Sequence, residues 1–319
     1  MVGQEKPLRS LFVGFGNVGQ RVAEILFVER EQHPNLSPLN LTVVGIVTKS
    51  RGSLVNNKGV DVAKALHEIR ELGRFSWTNF ELTNLNALDA VQQLDYDVLV
   101  ELSVLSIAEL GEPALSYVRE ALKRGRHVVT ANKAPAAFAY HELHFLALKQ
   151  GVQFLHESTV MDGTPIFNLA QNGLSGCQIT GVSGVLNSTT NFVLSRLEQG
   201  ESLKEAVKIA QKEGFAEADP LHDLEGWDAA AKIAVLANAL MGASLTPSGM
   251  QAMPEATILC VGSRVMSMPL NTMRPARGGV RPRIERTSVV LPEPFEPSRQ
   301  VMPPATTVSE TPCSTSALS

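Results

Sequence analysis

Asp228 and Lys232 stand four residues apart in a run that is otherwise apolar: Ala229, Ala230, Ala231, Ile233, Ala234, Val235, Leu236, Ala237. At helical spacing this run is hydrophobic on nearly every side, which predicts a buried helix. The four-residue interval puts the carboxylate and the ammonium on one face. Charged side chains are rarely buried unless they are paired or working. Just upstream lie Glu217, Asp219 and Asp223. An ammonium and several carboxylates thus converge on the mouth of an apolar helix, a set suited to binding a polar zwitterion and moving a proton. The plainer alternative is an ordinary helix ion pair.

A second set suits phosphate. Gly14-Phe15-Gly16-Asn17-Val18-Gly19 follows an apolar run at 8–13 and opens a helical pattern through Val22, Ile25 and Leu26. By itself the Gly-x-Gly-x-x-Gly spacing is a weak signal; between a strand and a helix it has the context that dinucleotide binding requires. Gly14 permits the tight turn, Gly16 lets the backbone approach a pyrophosphate, and Gly19 lets helix and strand pack closely. The helix N-terminus then offers unpaired N–H groups to the phosphates. A strand-to-helix turn without a ligand is the simpler alternative. The next strand selects between cofactors. An NAD site usually ends that strand with Asp or Glu for the ribose 2′-hydroxyl. Here it ends Val47-Thr48-Lys49-Ser50-Arg51. Two cations and no carboxylate favour a 2′-phosphate, so NADP(H) is the expected cofactor, with NAD(H) as the alternative. Lys49 and Arg51 are otherwise solvated loop charges.

These residues need elements to hold them. Apolar runs at 8–13, 41–47, 97–101, 127–130 and 151–156 read as strands, and helical patterns at 60–72, 113–123 and 140–150 fall between them, with Gly125 as a stop signal. Strands alternating with helices predict a parallel, doubly wound α/β sheet. The pattern then changes. Residues 177–186 read as a strand of a different sheet, and 190–198, 202–213 and 227–241 as helices. Composition shifts again after about Leu245. Every basic residue beyond Lys232 is Arg, Pro and Met become dense, and no periodicity is sustained. Three parts are therefore expected: a dinucleotide-binding domain over 1–157, a partial catalytic domain over 158–245, and an irregular tail over 246–319.

Composition narrows the class. The 319 residues exceed one ordinary domain, and a hydrophobic share of 44% suffices for real cores. A net charge of -4 gives no general attraction to nucleic acid or anionic membrane. Cys177, Cys260 and Cys313 show no metal-ligand spacing and suit a reducing compartment. The first apolar run is short and broken by glycines, unlike a signal peptide, and no run approaches a membrane span. A cytoplasmic enzyme acting on a small molecule is expected, with no nucleic-acid or membrane partner.

Read in order, these motifs resemble those of homoserine dehydrogenase over roughly residues 8–245. They are the glycine loop; Gly111-Glu-Pro-Ala114; His127-Val-Val-Thr-Ala-Asn-Lys-Ala-Pro135; His156-Glu-Ser-Thr-Val-Met-Asp-Gly-Thr-Pro165; Gly184-Val-Leu-Asn-Ser-Thr-Thr-Asn191; and the acidic stretch from Glu217 to Lys232. The resemblance implies a Rossmann-type domain followed by an α+β catalytic and dimerisation domain. It implies reversible hydride transfer between NAD(P)H and L-aspartate 4-semialdehyde, giving L-homoserine on the way to threonine, methionine and isoleucine. Lys232 matches the catalytic lysine, Asp228 its acidic neighbour, and Lys133 a lysine near substrate and nicotinamide. Glu217 and Asp223 match acidic positions that contact substrate. Asn187 and Thr189, with Thr190 and Asn191, are expected to cap a helix and to line the substrate pocket. Gly14, Gly16, Asn17, Val18, Gly19, Lys49, Arg51, Ser103 and Lys133 are the cofactor-binding candidates. The turn from Glu157 to Thr164 matches a monovalent-cation site for Na+ or K+. Its expected ligands are main-chain oxygens of Val160, Asp162 and Thr164, with Glu157 nearby. His127 and His156, on apolar strands, are expected to be structural; His222 lies beside the acidic cluster.

The tail departs from the family. Family members complete the catalytic sheet after the lysine helix, and nothing after Leu245 supplies those strands. The chain is therefore expected to be a family sequence cut within a domain and joined to unrelated sequence, with the family homodimer impaired. A nucleotide-binding remnant without catalysis is the alternative reading. Another semialdehyde dehydrogenase is a weaker one, since a phosphorylating enzyme needs a cysteine nucleophile and Cys177 has no histidine near it in sequence.

Overall fold

Strands β1 (Leu8–Val13) and β2 (Leu41–Val47) are buried over most of their length, as expected for parallel strands covered on both faces. The computed structural model describes residues 6–36, 39–76, 82–182, 184–216 and 225–248. Strands β5 (Val98–Glu101), β6 (His127–Thr130) and β7 (Phe154–Leu155) continue the parallel ladder beyond β1. Two short strands, β3 (Ser53–Val55) and β4 (Leu82–Thr83), add antiparallel at the β2 edge. The order is β4-β3-β2-β1-β5-β6-β7. The strand order reverses between β2 and β5, on either side of β1, and a doubly wound sheet opens its ligand crevice at that switch point.

Helices cover both faces. Against one lie α1 (Asn17–Phe27) and α2 (Val62–Leu72), around a core of Phe12, Phe15, Ala23, Ile46, Leu66 and Ile69. Against the other lie α3 (Ala87–Gln93), α4 (Ala114–Lys123) and α5 (Lys133–Gln150), around Leu99, Val118, Val128 and Leu143. The caps are readable: Asp61 accepts from Lys64 N, Asn86 accepts from Asp89 N, and Gly73 and Gly151 end their helices in the left-handed region. Helix α5 begins at Lys133, earlier than the expected 140–150. Asn132 caps its first turn, and Pro135 sits where a missing N–H costs nothing. A non-helical residue, Ala139, then kinks it. That break is why only the second segment shows a clean helical period.

Beyond the sheet come the short turns α6 (Ser158–Met161) and α7 (Ile166–Asn168), then α8 (Ser188–Glu198), α9 (Leu203–Lys212) and α10 (Trp227–Met241). Helix α9 carries a reciprocal capping box between Ser202 and Glu205. Helix α10 is the apolar one. Ala230, Ala231, Ala234, Val235 and Leu236 are buried in the same core as α5, and each fully buried large aliphatic contributes about 1.5–3 kcal/mol. The expected strand at 177–186 is absent among the described residues. A strand exists only against a hydrogen-bonding neighbour, and the described residues hold no second sheet. Of the expected tail, residues from 249 onward lie outside the described residues.

Candidate active site

The glycine loop joins β1 to α1 at the C-terminal edge of the sheet. Gly14 has a φ of +93°, and a Cβ there would stand 2.3 Å from the Leu102 carbonyl oxygen. Only glycine fits both constraints. At Gly16 a Cβ would meet nothing within 4 Å, so its backbone borders open space. Gly16 is also the cap of α1 and offers no side chain to the first-turn N–H groups, which remain for an anion. Asn17 and Val18 form the exposed first turn. At the end of β2, Lys49 and Arg51 are exposed on a turn closed by Thr48, whose Oγ1 donates to Gly52 O (2.6 Å) and accepts from Arg51 N (2.9 Å).

On the other side of the switch point, β5 ends in Glu101, whose side chain is fully buried. Its Oε1 accepts from the main-chain N and the Oγ of Ser103, and its Oε2 accepts from Thr130 Oγ1 at 2.7 Å. Burial pushes the Glu101 carboxyl above its ordinary pKa, although the bonds from Ser103 and Thr130 oppose it. Thr130 Oγ1 accepts from Asn132 N (2.9 Å), Asn132 Nδ2 donates to Ser103 O (3.3 Å), and Asn132 Oδ1 caps Ala134 N (3.0 Å). Ser103, expected at the cofactor, therefore has both its N–H and its hydroxyl committed to Glu101.

The charged centre is built where α5 meets α10. Lys133 Nζ lies 3.0 Å from Asp228 Oδ1, and Lys232 Nζ lies 2.9 Å from Asp228 Oδ2. Asn187 Nδ2 donates to Asp228 Oδ2 at 2.9 Å, and Lys232 Nζ donates to Leu186 O at 2.6 Å. The three charged side chains are 24%, 13% and 16% exposed for Lys133, Asp228 and Lys232, so they are sheltered yet reachable from solvent. Burial raises the Asp228 carboxyl, but the ammoniums of Lys133 and Lys232, with the hydrogen bonds from Lys232 and Asn187, outweigh it; its pKa ends below the ordinary value. Among the described residues the centre thus carries two cations for one anion, a field that favours negative charge developing beside it.

The expected pocket residues divide. Asn187 does two things: its Oδ1 accepts from Thr190 N to cap α8, and its Nδ2 holds Asp228. Thr189 is buried, and its hydroxyl donates to Phe215 O at 2.6 Å, fastening α8 to the chain after α9. Glu217, Asp223 and His222 lie outside the described residues. At the expected cation turn, Glu157 caps α7: its carboxylate accepts from Phe167 N (2.8 Å), Asn168 N (3.0 Å) and Asn168 Nδ2 (2.6 Å). Val160 is buried, and Asp162 has a left-handed φ of 48° that bends the turn before Thr164. Among the described residues no three His, Cys, Asp or Glu side chains gather into a metal site. His127 is structural, its Nδ1 accepting from Gln153 N. His156 is buried among Tyr140, Phe154 and Phe167, with no hydrogen-bond partner for Nδ1 among the described residues. Burial lowers its pKa to about 4. Sequence reasoning missed Glu101, Thr130 and Asn132. The signal was present as a carboxylate ending an apolar strand, with hydroxyls two residues on and at the end of the neighbouring strand.

Similarity to known proteins follows the same division. Residues 14–157 match the family model described as homoserine dehydrogenase, NAD binding domain, and residues 165–258 match the model described as homoserine dehydrogenase. The chain is 38% identical over 237 residues to a homoserine dehydrogenase of Methanocaldococcus jannaschii, spanning 74% of this chain and 70% of that protein. It is 38% identical over 234 residues to an NAD(+)-dependent homoserine dehydrogenase of Pseudomonas canavaninivorans, spanning 73% and 66%. Among solved structures, a putative homoserine dehydrogenase from Archaeoglobus fulgidus superposes with a TM-score of 0.66 at 35% identity, covering 80% of this chain and 72% of that one. A hyperthermophilic archaeal homoserine dehydrogenase in complex with NADPH superposes with a TM-score of 0.65 at 29% identity, covering 75% and 71%.

Proposed function

The chain belongs to the homoserine dehydrogenase family of NAD(P)-dependent oxidoreductases, and from that premise we propose that it interconverts L-aspartate 4-semialdehyde and L-homoserine. The observation that carries the proposal is the meeting of Lys133 and Lys232 on Asp228 beside the glycine-loop crevice. The crevice fits a dinucleotide, because the Gly16 backbone borders open space and α1 begins there without a side-chain cap. When bound, the nicotinamide supplies or accepts the hydride. Everything else falls to this chain's residues. As a carbonyl carbon gains hydride, its π electrons move onto oxygen. The Lys232 ammonium stabilises that charge and delivers the proton, forming the hydroxyl; in the reverse direction its neutral amine takes the proton back. Asp228 holds both ammoniums, and Lys133 adds the second positive charge. We assign Glu217 and Asp223 to the substrate's amino group, and Asn187 and Thr189 to the α8 side of the pocket.

Finer points belong to the same reading. Lys49 and Arg51 support a preference for NADP(H), although relatives with NAD(+) and with NADPH in their descriptions are both similar to this chain. The family matches, divided between 157 and 165, support a dinucleotide-binding domain over 1–157 and a catalytic domain from 158. With Glu157 spent on α7, a Na+ or K+ ion at this turn would be held by main-chain oxygens of Val160, Asp162 and Thr164. An impaired form of the family homodimer and a cytoplasmic location complete the proposal. Among the described residues no helix is long and apolar enough to cross a membrane. The remnant without catalysis is not favoured, since family similarity continues through the charged centre.

The test is NADP+ reduction on addition of L-homoserine to the purified chain, followed by NADPH absorbance, with NAD+ in parallel. Turnover that requires homoserine supports the assignment. Cofactor binding with no turnover in either direction would overturn it.

A further inference from the structure

A carboxylate without a counter-ion is costly to bury, yet Glu101 is fully buried and, among the described residues, no cation pairs with it. What surrounds it instead is a closed ring of hydrogen bonds. Ser103 donates twice to one carboxylate oxygen, and Thr130 donates to the other. Thr130 in turn receives Asn132 N, and Asn132 returns to Ser103 O through its side-chain amide. The ring joins the C-terminal ends of β5 and β6, two neighbouring strands beside the switch point. The end of β2 reads the adenosine ribose in such folds, so the other half of a dinucleotide extends over β5 and β6.

We propose that Glu101 is a positioning residue for the hydride transfer: its carboxyl fixes Thr130 and Asn132, and through them the start of α5 that carries Lys133 to Asp228. The inference rests on the proposed function. Asn132 is the link, because the residue tied to Thr130 by its N–H is also the cap of α5 through its Oδ1. Lys133 is the first residue of that helix. A shift of the cap therefore moves the ammonium directly, and misplacement by about 1 Å costs up to about a hundredfold in rate. Ser103 is fixed by the same carboxyl, so the rim of the crevice over β5 moves with it.

Three variants test this. Glu101→Leu removes the ring. Thr130→Val removes the hydroxyl that donates to Glu101 and accepts from Asn132 N, leaving Glu101 joined to Asn132 only by way of Ser103. Glu101→Gln can keep the ring, with its amide donating to Thr130 Oγ1 while the Thr130 hydroxyl turns to Asn132 O, already 3.4 Å away. Melting temperature, the NADPH dissociation constant by fluorescence, and homoserine kcat and KM are measured for each. Leu and Val should lower kcat by at least about tenfold with a smaller change in homoserine KM, and should weaken NADPH. Gln should restore most of what Leu loses. Should Leu fail to fold, Val decides: wild-type kcat and NADPH binding in a folded Thr130→Val protein would overturn the proposal, as would a Gln variant no better than Leu. Should the parent chain bind NADPH and leave homoserine untouched, the proposed function fails. The NADPH constants then decide Glu101: weakening in Val with recovery in Gln sustains it, and equal constants overturn it.

Discussion

Lys133 Nζ lies 3.0 Å from Asp228 Oδ1, although one residue opens α5 after the sixth strand and the other stands in the first turn of α10. Asp228 thereby gathers an ammonium from each part of the chain, and Lys232 completes the set one helical turn on.

Lys232→Ala should lower homoserine turnover by about 10²–10⁴-fold, the usual worth of a positioned acid–base group. It leaves the glycine loop intact, so the NADPH dissociation constant should stay near that of the parent. Steady-state kinetics and a fluorescence titration check the two halves. Near-full turnover would make Lys232 an ion-pair partner only.

Asn187→Ser and Asn187→Ala separate two jobs. Serine can still cap α8, and alanine cannot, so alanine should be less stable than serine by about 1 kcal/mol. Both lose the amide that holds Asp228, so both should show a similar fall in kcat. Denaturant melts beside kinetics resolve this. Equal stability together with unchanged kcat would refute both roles.

Lys49→Ala combined with Arg51→Ala should weaken NADP(H) by about tenfold or more relative to NAD(H), the loss expected for charge-assisted hydrogen bonds to a phosphate. Parallel titrations with both cofactors give the ratio. An unchanged ratio would place 2′-phosphate recognition elsewhere.

His156 makes stability depend on acid. Its folded pKa, near 4, lies below the unfolded value of about 6.5. Between these values the unfolded chain binds a proton that the folded one refuses, so stability falls as pH drops through that window, at most about 1.4 kcal/mol per pH unit from this group. His156→Phe, set among Tyr140, Phe154 and Phe167, should flatten the slope. Urea melts from pH 7 to 4 give it; an identical slope in the variant would remove His156 as the cause.

Much of this was legible in sequence, and the exceptions share a cause. The glycine loop, the parallel strands and the Asp228–Lys232 pair are local patterns, set by spacing along one element. β3 and β4 are only three and two residues long, too short to show a period. Residues 177–186 have strand composition, but composition does not supply a neighbour to pair with. Glu101 ends an apolar strand, and nothing along that strand shows whether its carboxylate is solvated or buried. Only the arrival of Thr130 and Ser103 around it reveals a buried carboxyl. Lys133 shows as a site residue through family resemblance, since no spacing in the chain predicts that the start of α5 meets the start of α10.

That meeting bears on how such a chain can change by exchange of segments. The cofactor crevice lies within the part matching the NAD-binding model, whereas Asp228 and Lys232 lie in the part matching the second model. Replacing either part with a foreign one would have to preserve the packing of α10 on α5 as well as the spacing between the carboxylate and its second ammonium. The chemistry proposed for this centre would then be inherited as a fit between the two parts.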